Sequence, residues 1–374
     1  MLNDPIASLK KVVDQPSGSF DAEDVKKTAA MFAEDFESLG FETELIPGNI
    51  HGPVLKAVIG TGETQLMLMG HMDTVFPHDV YVPFTPVDDK KALGSGSMDM
   101  KGGVVVMLYA LKKALPQLDL TKIRLCAVIN PDEEVGSPES HDVILETAKA
   151  SAAALSFEPC GPDHRLTCAR KGVTSVLIEC EGIPGHAGAK YKECASAIQA
   201  LCAHITALYG LRDDAKDISF NAGVISGGTA ENVVAPWAKA KCEFRYFNEA
   251  FKPLLADRIR AICSTEPVPG VQTFVTFGAS HPAIDINDES RVLLDMAMEV
   301  SKEQGVHRYH ERTGGAGDIA IAGQAGIGVL DGLGVCGGGA HTKDEWVDLA
   351  SVPIQIDFAA AMILKAAGYY QKET

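Results

Sequence analysis

The feature that most limits the fold is a series of continuous apolar segments, each of strand length, separated by segments with helical spacing. Strands that are apolar at every position must be covered on both faces, so they favour a mainly parallel sheet between layers of helices. The predicted strands are 53–60, 64–70, 123–131, 152–159 and 327–333. The predicted helices are 22–40, 101–115, 141–150, 290–305 and 350–370.

The middle of the chain follows a different pattern. Its predicted elements are strand 173–182, helix 194–210, strands 218–226 and 238–247, helix 251–264 and strand 271–277. This βαββαβ order is typical of a small ferredoxin-like domain. We therefore expect an α/β domain of residues 1–171 and 281–374, interrupted by a lid of residues 172–280. Hinge motion is expected near Arg170–Gly172 and near 278–282.

The charge and hydropathy of the chain exclude several classes of partner. The 374 residues carry a formal net charge of −17, which argues against binding to nucleic acid or to an anionic membrane. No run of about 18 apolar residues suggests a membrane span. The N-terminal segment MLNDPIASLKKVV lacks the apolar stretch of a signal peptide, so a cytoplasmic location is expected.

The nine cysteines show no pair with C-x-x-C spacing, and several lie in apolar runs. We interpret them as small buried hydrophobic residues of a reducing compartment, rather than as disulfides or zinc ligands. The histidines 78, 164, 204 and 281 match no motif and are treated as ordinary.

Side chains that bind metals follow the ends of several predicted strands. They are His71 after 64–70, Asp99 before helix 101–115, Glu133 and Glu134 after 123–131, Glu158 at the end of 152–159, and His341 after 327–333. Ligands of open α/β sheets bind beyond the carboxyl ends of the strands, so we expect these residues to lie together. Asp73 lies two residues after His71, on the same side of an extended chain, where it can accept a hydrogen bond from the metal-bound ring.

Two histidines and three carboxylates are too many for one tetrahedral zinc ion with an open position. They suit two ions that share a carboxylate, about 3.5–4 Å apart, with a hydroxide between them. The mixed nitrogen and oxygen ligands favour zinc, and cobalt or manganese could also serve. Of the neighbours Glu133 and Glu134, one could bind metal while the other acts as the general base.

Other enzyme classes fit the sequence poorly. In GSGSMDMKG, Asp99 occupies the place of the third glycine of a dinucleotide-binding loop, and Gln65 breaks the pattern that begins at Gly60. The sequence contains neither a Walker A motif nor the G-x-S-x-G motif of serine hydrolases. A catalytically silent metal-bound scaffold that dimerises through the lid is the alternative from another class, although it would not need a free carboxylate at Glu133.

Together the motifs resemble one family across almost the whole chain: the dizinc aminoacylases, acetylornithine deacetylases, succinyl-diaminopimelate desuccinylases and glutamate carboxypeptidases. The matching motifs are GHMDTV, GSGSMDMKGG, NPDEEVGS, SFEP, GIPGHAGA, ENVVAP, ERTGGAGD and GAHTKDEWVDL. SFEP, GHAGA and ERTGG are most similar to the branch that removes C-terminal glutamate from folates and peptides.

The resemblance implies a role for each residue of the metal centre. His71 and Glu158 would bind one zinc ion, Glu134 and His341 the other, and Asp99 would bridge them. Glu133 would be the general base, and the Asp99–Met100 peptide bond would be cis.

The resemblance also implies functions for the lid. His186 would stabilise the oxyanion, in cis or from a partner subunit. Asn232 and Arg245 would hold the terminal carboxylate of the substrate, and Gly314 and Gly315 would line the pocket floor. Arg245 could instead pair with Glu243, and Arg312 could equally bind the carboxylate. Gly317 stands where the family often has Ser or Thr, which leaves the side-chain preference open.

The expected function is that of a zinc-dependent hydrolase that releases a C-terminal, glutamate-like amino acid from a small molecule or short peptide with a free carboxylate. The alternative of the same class is an N-acyl-amino-acid deacylase of the acetylornithine deacetylase or succinyl-diaminopimelate desuccinylase type. The expected assembly is a homodimer formed through the lid.

Overall fold

The computed structural model describes residues 2–371. Its helices are α1 (Pro5–Val13), α2 (Ala22–Ser38), α3 (Lys101–Ala114), α4 (His141–Lys149), α5 (Ala197–Tyr209), α6 (Phe251–Cys263), α7 (Asp288–Gln304), α8 (Ile319–Gly323) and α9 (Ser351–Tyr370). Its strands are β1 (Glu42–Ile46), β2 (Val54–Ile59), β3 (Thr64–His71), β4 (Thr85–Pro86), β5 (Lys91–Leu93), β6 (Ile123–Asn130), β7 (Ala153–Ser156), β8 (Arg165–Arg170), β9 (Gly172–Glu181), β10 (Ser219–Gly227), β11 (Trp237–Tyr246), β12 (Gln272–His281), β13 (Tyr309–Thr313), β14 (Gly328–Leu330), β15 (Gly337–Gly338) and β16 (Trp346–Asp348).

The chain divides into two compact units. The first unit contains residues 1–169, 286–312 and 317–374, and the second contains residues 170–285 and 313–316. The predicted boundaries fall within a few residues of these, except that Gly314 and Gly315 belong to the second unit.

The first unit is built on a six-stranded sheet with the order β1-β2-β6-β3-β7-β14. Strands β6, β3, β7 and β14 are parallel, which confirms the mainly parallel sheet. Strand β2 is antiparallel to β6 and to β1. Every residue of β3 is buried, because both faces of the sheet are covered, as its continuous apolar sequence predicts.

Helices supply most of the remaining core of the first unit. Nearly all of α3 is buried, and it packs against α9 and α1. Its sequence KGGVVVMLYALKKA is apolar around the helix, as expected for a helix inside a large core. A Cβ atom on Gly103 would lie 1.9 Å from the carbonyl oxygen of Phe157, so only glycine allows α3 to approach the segment after β7 this closely. The start of α3 is thereby fixed beside Asp99.

The second unit is a four-stranded antiparallel sheet with the order β10-β11-β9-β12 and two helices, α5 and α6. Its element order is the predicted βαββαβ. Residues of β11 alternate between exposed and buried, so one face of the sheet carries the core. Helix α5 begins at Ala197 rather than at Cys194, because the side chain of Ser196 accepts a hydrogen bond from the backbone of Gln199 and caps the helix there.

Among residues 2–371, no helix is long and apolar enough to cross a membrane.

Candidate metal centre

The predicted ligands follow strands whose carboxyl ends meet at one edge of the parallel sheet. His71 is the last residue of β3, and Glu158 follows the end of β7 by two residues. Glu133 and Glu134 form a single 3₁₀ turn after β6. Because β3 pairs in parallel with both β6 and β7, these ends lie side by side. Asp99 and His341 reach the same place from the loop before α3 and from the segment after β15.

The ligand atoms form two groups of three. In the first group, Nε2 of His71 lies 3.3 Å from Oδ1 of Asp99 and 3.8 Å from Oε1 of Glu158. In the second, Nε2 of His341 lies 3.0 Å from Oε2 of Glu134 and 3.4 Å from Oδ2 of Asp99. The ligand atoms of each group lie within 4.8 Å of one another.

Asp99 belongs to both groups, with one oxygen facing His71 and the other facing His341. One carboxylate that serves two groups of nitrogen and oxygen ligands is the arrangement that a two-ion centre requires. Three carboxylates and two imidazoles make up the two groups, so the donor set also has the negative charge that suits two divalent cations. The Asp99–Met100 peptide bond is cis, as the resemblance implies.

Asp73 joins several parts of the centre. Nδ1 of His71 lies 3.1 Å from the backbone carbonyl oxygen of Asp73 and 3.2 Å from its Oδ1, and Oδ1 also accepts the backbone N–H of Glu133 at 3.2 Å. Its Oδ2 accepts the hydroxyl of Ser19 at 2.7 Å and the backbone N–H of Glu134 at 3.2 Å. The sequence predicts the contact with His71, whereas the contacts with the glutamate turn depend on the fold. Asp73 is fully buried and therefore fixes both the ring and the turn.

Glu133 lies beside the centre but outside both groups of ligands. Its Oε2 is 3.9 Å from Nε2 of His71. Burial raises the pKa of Glu133 well above its usual value, and the negative charges of Glu158 and Asp318 raise it further. A carboxyl group with a raised pKa is suited to accept and return a proton near neutral pH.

The pKa shifts of the ligands show that protons compete strongly with metal ions for the ligand atoms. Hydrogen bonds with Asp99 and Glu134 raise the pKa of His341 to about 10. Burial alone would raise the pKa of Asp99, but its hydrogen bonds with His341 and His71 lower it below the usual range. Since a metal binds only the neutral imidazole, ion binding must displace the proton from each ring.

Glu345 is a supporting residue to which the sequence alone assigned no role. Its Oε1 accepts the backbone N–H groups of Met98 and Asp99 at 2.9 and 3.0 Å, and its Oε2 accepts that of Gly96 at 3.0 Å. This buried carboxylate therefore holds the loop that presents Asp99. The only sequence signal was the position of Glu345 in the motif GAHTKDEWVDL.

A second buried network holds the glutamate turn. Asp318 accepts hydrogen bonds from Asn130 at 2.7 Å and from the hydroxyl of Ser137. Asp132 accepts the backbone N–H groups of Glu139 and Ser140 at 2.7 and 3.2 Å. These contacts fix the position of the backbone before and after Glu133 and Glu134.

The predicted lid residues lie in the second unit. The side chain of His186 is exposed, and its Nδ1 accepts the backbone N–H groups of Gly188 and Ala189 at 3.2 and 3.3 Å. The backbone N–H of Ala187 donates to the carbonyl of Asn232 at 3.0 Å, so His186 and Asn232 lie on neighbouring segments. With Nδ1 acting as an acceptor, the neutral ring carries its proton on Nε2.

Arg245 makes the contact that the sequence left as an alternative. Its Nε and Nη2 donate to the two carboxylate oxygens of Glu243 at 2.8 and 3.2 Å, and its Nη1 donates to the carbonyl of Gly314 at 2.8 Å. Three of its five N–H groups are thereby used, so two remain for another acceptor. The role of Arg245 in binding a substrate carboxylate stays a prediction, as do those of Asn232, Gly314 and Gly315.

A cavity of about 420 Å³ opens beside the second group of ligands. Its lining includes Ser19, Phe20, Val75, His78 and the metal-binding candidate Glu134. Phe20 is 77% exposed, which is unusual for a large apolar side chain. The first unit therefore has an open, partly apolar space next to the centre.

Known proteins resemble this chain over most of its length. The model of Peptidase family M20/M25/M40 matches residues 67–365. Carboxypeptidase G2 of Pseudomonas sp. (strain RS-16) is 32% identical over 96% of this chain and 88% of its own length. Acetylornithine deacetylase of Shigella sonnei (strain Ss046) is 29% identical over 58% of this chain and 59% of its own length. The structure of a tripeptidase from Staphylococcus aureus matches with a TM-score of 0.81 at 20% identity, over 98% of this chain and 99% of that one.

Proposed function

Since the chain belongs to Peptidase family M20/M25/M40 and is therefore a metal-dependent peptide or amide hydrolase, we propose that it cleaves the amide bond before a C-terminal, glutamate-like amino acid. The observation that carries the proposal is the position of Asp99 between two groups of ligands, with the separate carboxylate of Glu133 beside them. This arrangement supports hydrolysis rather than a silent scaffold, because a scaffold has no use for an additional buried acid.

In this proposal His71 and Glu158 would hold one zinc ion, Glu134 and His341 would hold the other, and Asp99 would contribute to both sites. When bound, the ions would polarise the scissile carbonyl and lower the pKa of water. Asp73 would keep the His71 ring in the tautomer that leaves Nε2 free for the ion.

Glu133 is proposed as the general base and then the general acid. It would take a proton from the attacking water and deliver it to the nitrogen of the departing amine. The position of this carboxylate supports the role, because it lies outside both groups of ligands with its Oε2 3.9 Å from Nε2 of His71.

His186 is proposed to stabilise the negative oxygen that develops on the scissile carbonyl. The acceptor role of its Nδ1 supports this proposal, because it leaves the Nε2–H group as a donor. Asn232 and the two remaining N–H groups of Arg245 would bind the carboxylate of the leaving amino acid, beside Gly314 and Gly315.

The preference for glutamate rests on the similarity to carboxypeptidase G2, and the cavity beside Glu134 offers space for the acyl side of the substrate. The similarity to acetylornithine deacetylase supports a second candidate, an N-acyl-amino-acid deacylase. The two candidates differ in which side of the amide bond must be recognised.

A substrate panel separates the two candidates. We would measure kcat/KM for a folyl-glutamate, an N-acyl-glutamate and N-acetylornithine with the same zinc-loaded protein. The carboxypeptidase proposal predicts the highest value for the folyl-glutamate, and N-acetylornithine as the only substrate would refute the preference for glutamate. Zinc, cobalt and manganese would be compared on the best substrate to identify the most active ion.

A homodimer formed through the second unit is also proposed. Strand β10 is an edge of that unit's sheet, and it exposes 57% of both Val224 and Ile225. An exposed apolar edge strand is a ready surface for pairing with another chain. Light scattering would measure the molecular masses of the wild type and of Ile225→Lys. We expect a dimer for the wild type and a monomer for the variant, and a monomeric wild type would refute the dimer. The cytoplasmic location stays a prediction.

A further inference from the structure

Two buried cysteines and a histidine of the first unit lie together, apart from the carboxylate-rich centre. The Sγ atoms of Cys160 and Cys336 are 3.1 Å apart, and Nδ1 of His164 is 3.2 Å from Sγ of Cys336. All three ligand atoms lie within 4.8 Å of one another. Both cysteines are at most 1% exposed, and the His164 ring is partly exposed.

The backbone holds these three residues in place. The N–H of Cys160 donates to the carbonyl of Val335 at 3.2 Å, so the two cysteine-bearing segments are joined directly. The N–H of Cys336 donates to the hydroxyl of Ser351 at 3.0 Å. His164 has φ of +59°, a left-handed conformation that turns the chain back after the short helical turn 161–163. The cluster is therefore part of the folded framework.

We propose that Cys160, His164 and Cys336 form a further metal site, which binds one Zn²⁺ ion with two sulfur ligands and one nitrogen ligand. Thiolate and imidazole are both common zinc ligands in proteins. Three protein ligands leave the fourth tetrahedral position to a solvent molecule, which can enter beside the exposed part of the His164 ring.

The distances are close to those that a tetrahedral ion needs. With Zn–S bonds of about 2.3 Å and Zn–N bonds of about 2.0 Å, tetrahedral angles place the sulfurs about 3.8 Å apart and the nitrogen about 3.5 Å from each sulfur. The two sulfurs must therefore move apart by roughly 0.7 Å. Nδ1 of His164 must also move away from Sγ of Cys336, by a smaller distance. Nδ1 of His164 and Sγ of Cys160 lie within 4.8 Å of each other and must reach the same separation of about 3.5 Å.

The charge of the ion can be balanced within the cluster. Zinc binds thiolates and neutral imidazole, so the thiol protons of Cys160 and Cys336 would leave on binding, and the two thiolates would balance the two positive charges of Zn²⁺.

A buried arginine provides independent support. Arg308 is 3% exposed, and its Nη2 donates to Oε1 of Gln355 at 2.9 Å. Within the described residues 2–371, its Nε and Nη1 have no hydrogen-bond partner. Burial lowers the pKa of Arg308 to about 10, and the neighbouring Cys160 and Cys336 oppose this effect. The guanidinium lies over the ring of Phe358, with Cζ 3.7 Å from the ring centroid, and its positive charge would stabilise two thiolates at the cluster electrostatically.

The ion would connect two segments that carry ligands of the carboxylate-rich centre. Cys160 follows Glu158 by two residues, and Cys336 precedes His341 by five. The N–H of Gly334 also donates to the carbonyl of Glu158 at 3.0 Å. The expected role of the ion is therefore structural: it ties together the ends of the two ligand-bearing segments.

Cobalt is the probe that tests the site, because sulfur ligands give Co²⁺ a strong near-ultraviolet charge-transfer band that nitrogen and oxygen ligands do not give. The full chain, stripped of metal and reduced, is titrated with Co²⁺, and bound ions are counted by mass spectrometry. We expect the thiolate band in the wild type and its loss in Cys336→Ser, which should bind one ion fewer per chain. Cys202→Ser, in which an exposed cysteine is replaced, is the matched control and should keep the band.

The wild type alone can overturn the proposal, so a variant that fails to fold does not obscure the result. Absence of the thiolate band in reduced, Co²⁺-saturated wild type would refute the site. Persistence of the full band in folded Cys160→Ala and Cys336→Ser would also refute it. Formation of a Cys160–Cys336 disulfide even in the presence of excess Zn²⁺ would also refute the site, because the two cysteines would then be a redox pair.

Discussion

One carboxylate oxygen of Asp73 contacts both Glu133 and His71. Its Oδ1 accepts the backbone N–H of Glu133 at 3.2 Å and lies 3.2 Å from Nδ1 of His71. The proposed general base and a proposed metal ligand are thus held by the same buried atom. Any change at Asp73 should therefore affect both the binding of ions and the position of the base.

Replacing Asp73 with Asn should weaken metal binding by about 10- to 100-fold, because the amide cannot hold the ring and both N–H groups of the glutamate turn in the same way. Competition with a fluorescent chelator would measure the dissociation constants. Asp142→Asn is the control, since that carboxylate is 95% exposed. Equal affinity in the Asp73 variant and the wild type would contradict the proposed role of the Asp73 carboxylate and assign the orientation of His71 to the backbone carbonyl of residue 73, 3.1 Å from Nδ1.

Replacing Glu133 with Ala or Gln should leave both ions in place and lower kcat by about 10²–10⁴-fold, because the proton can no longer be shuttled. Metal content and steady-state kinetics would be measured on the same samples. Near-normal turnover by Glu133→Ala would remove this residue from the mechanism. Loss of an ion in Glu133→Gln would instead assign the residue to the ligands.

Replacing His186 with Ala should lower kcat by about 10²–10³-fold without changing the metal content, because one donor to the developing oxyanion is lost. The comparison is with His141→Ala, a change on the surface of α4 in the first unit. A variant with unchanged kcat and a raised KM would show that His186 contributes to binding and not to catalysis.

The metal-free protein should become less stable as the pH rises. His341 has a pKa of about 10 in the folded chain against 6.5 as its ordinary value, so the folded state binds its proton more tightly. That stabilisation is complete below about pH 6.5 and is lost as the pH approaches 10. The raised pKa of Glu133 acts in the same direction, beginning above pH 4.5.

Thermal melts at several pH values, with chelator and with excess Zn²⁺, would measure this effect. The stabilisation by zinc should increase with pH, because fewer protons then compete for the imidazoles. His341→Asn should reduce the pH dependence of the metal-free protein, whereas His141→Asn should not. A melting temperature of the metal-free wild type that rises from pH 6.5 to 9 would contradict the prediction.

The sequence predicted the main elements because apolar strands and helical spacing are local signals. It placed His71, Glu134 and Glu158 at strand ends, and the parallel sheet brings those ends together. It could not predict the antiparallel β1, because the exposed sequence ETELI has no strong period and pairs only through its neighbour β2.

The supporting residues of the site were harder to predict. Glu345 is separated by about 250 residues from the backbone groups that it binds, and no local pattern marks such a contact. Similarly, Cys160 and Cys336 are 176 residues apart, so spacing alone favoured the interpretation of two unrelated buried cysteines. Only the folded chain places these partners together.

The two groups of ligands, Asp73 and Glu345 all lie in the first unit, whereas His186, Asn232 and Arg245 lie in the second. The second unit is an insertion with its own hydrophobic core. Over evolutionary time, substitutions in that insertion can therefore accumulate without disturbing the ion-binding geometry. Descendants of a common ancestor could in this way diversify in what they digest while inheriting the same ion-binding residues.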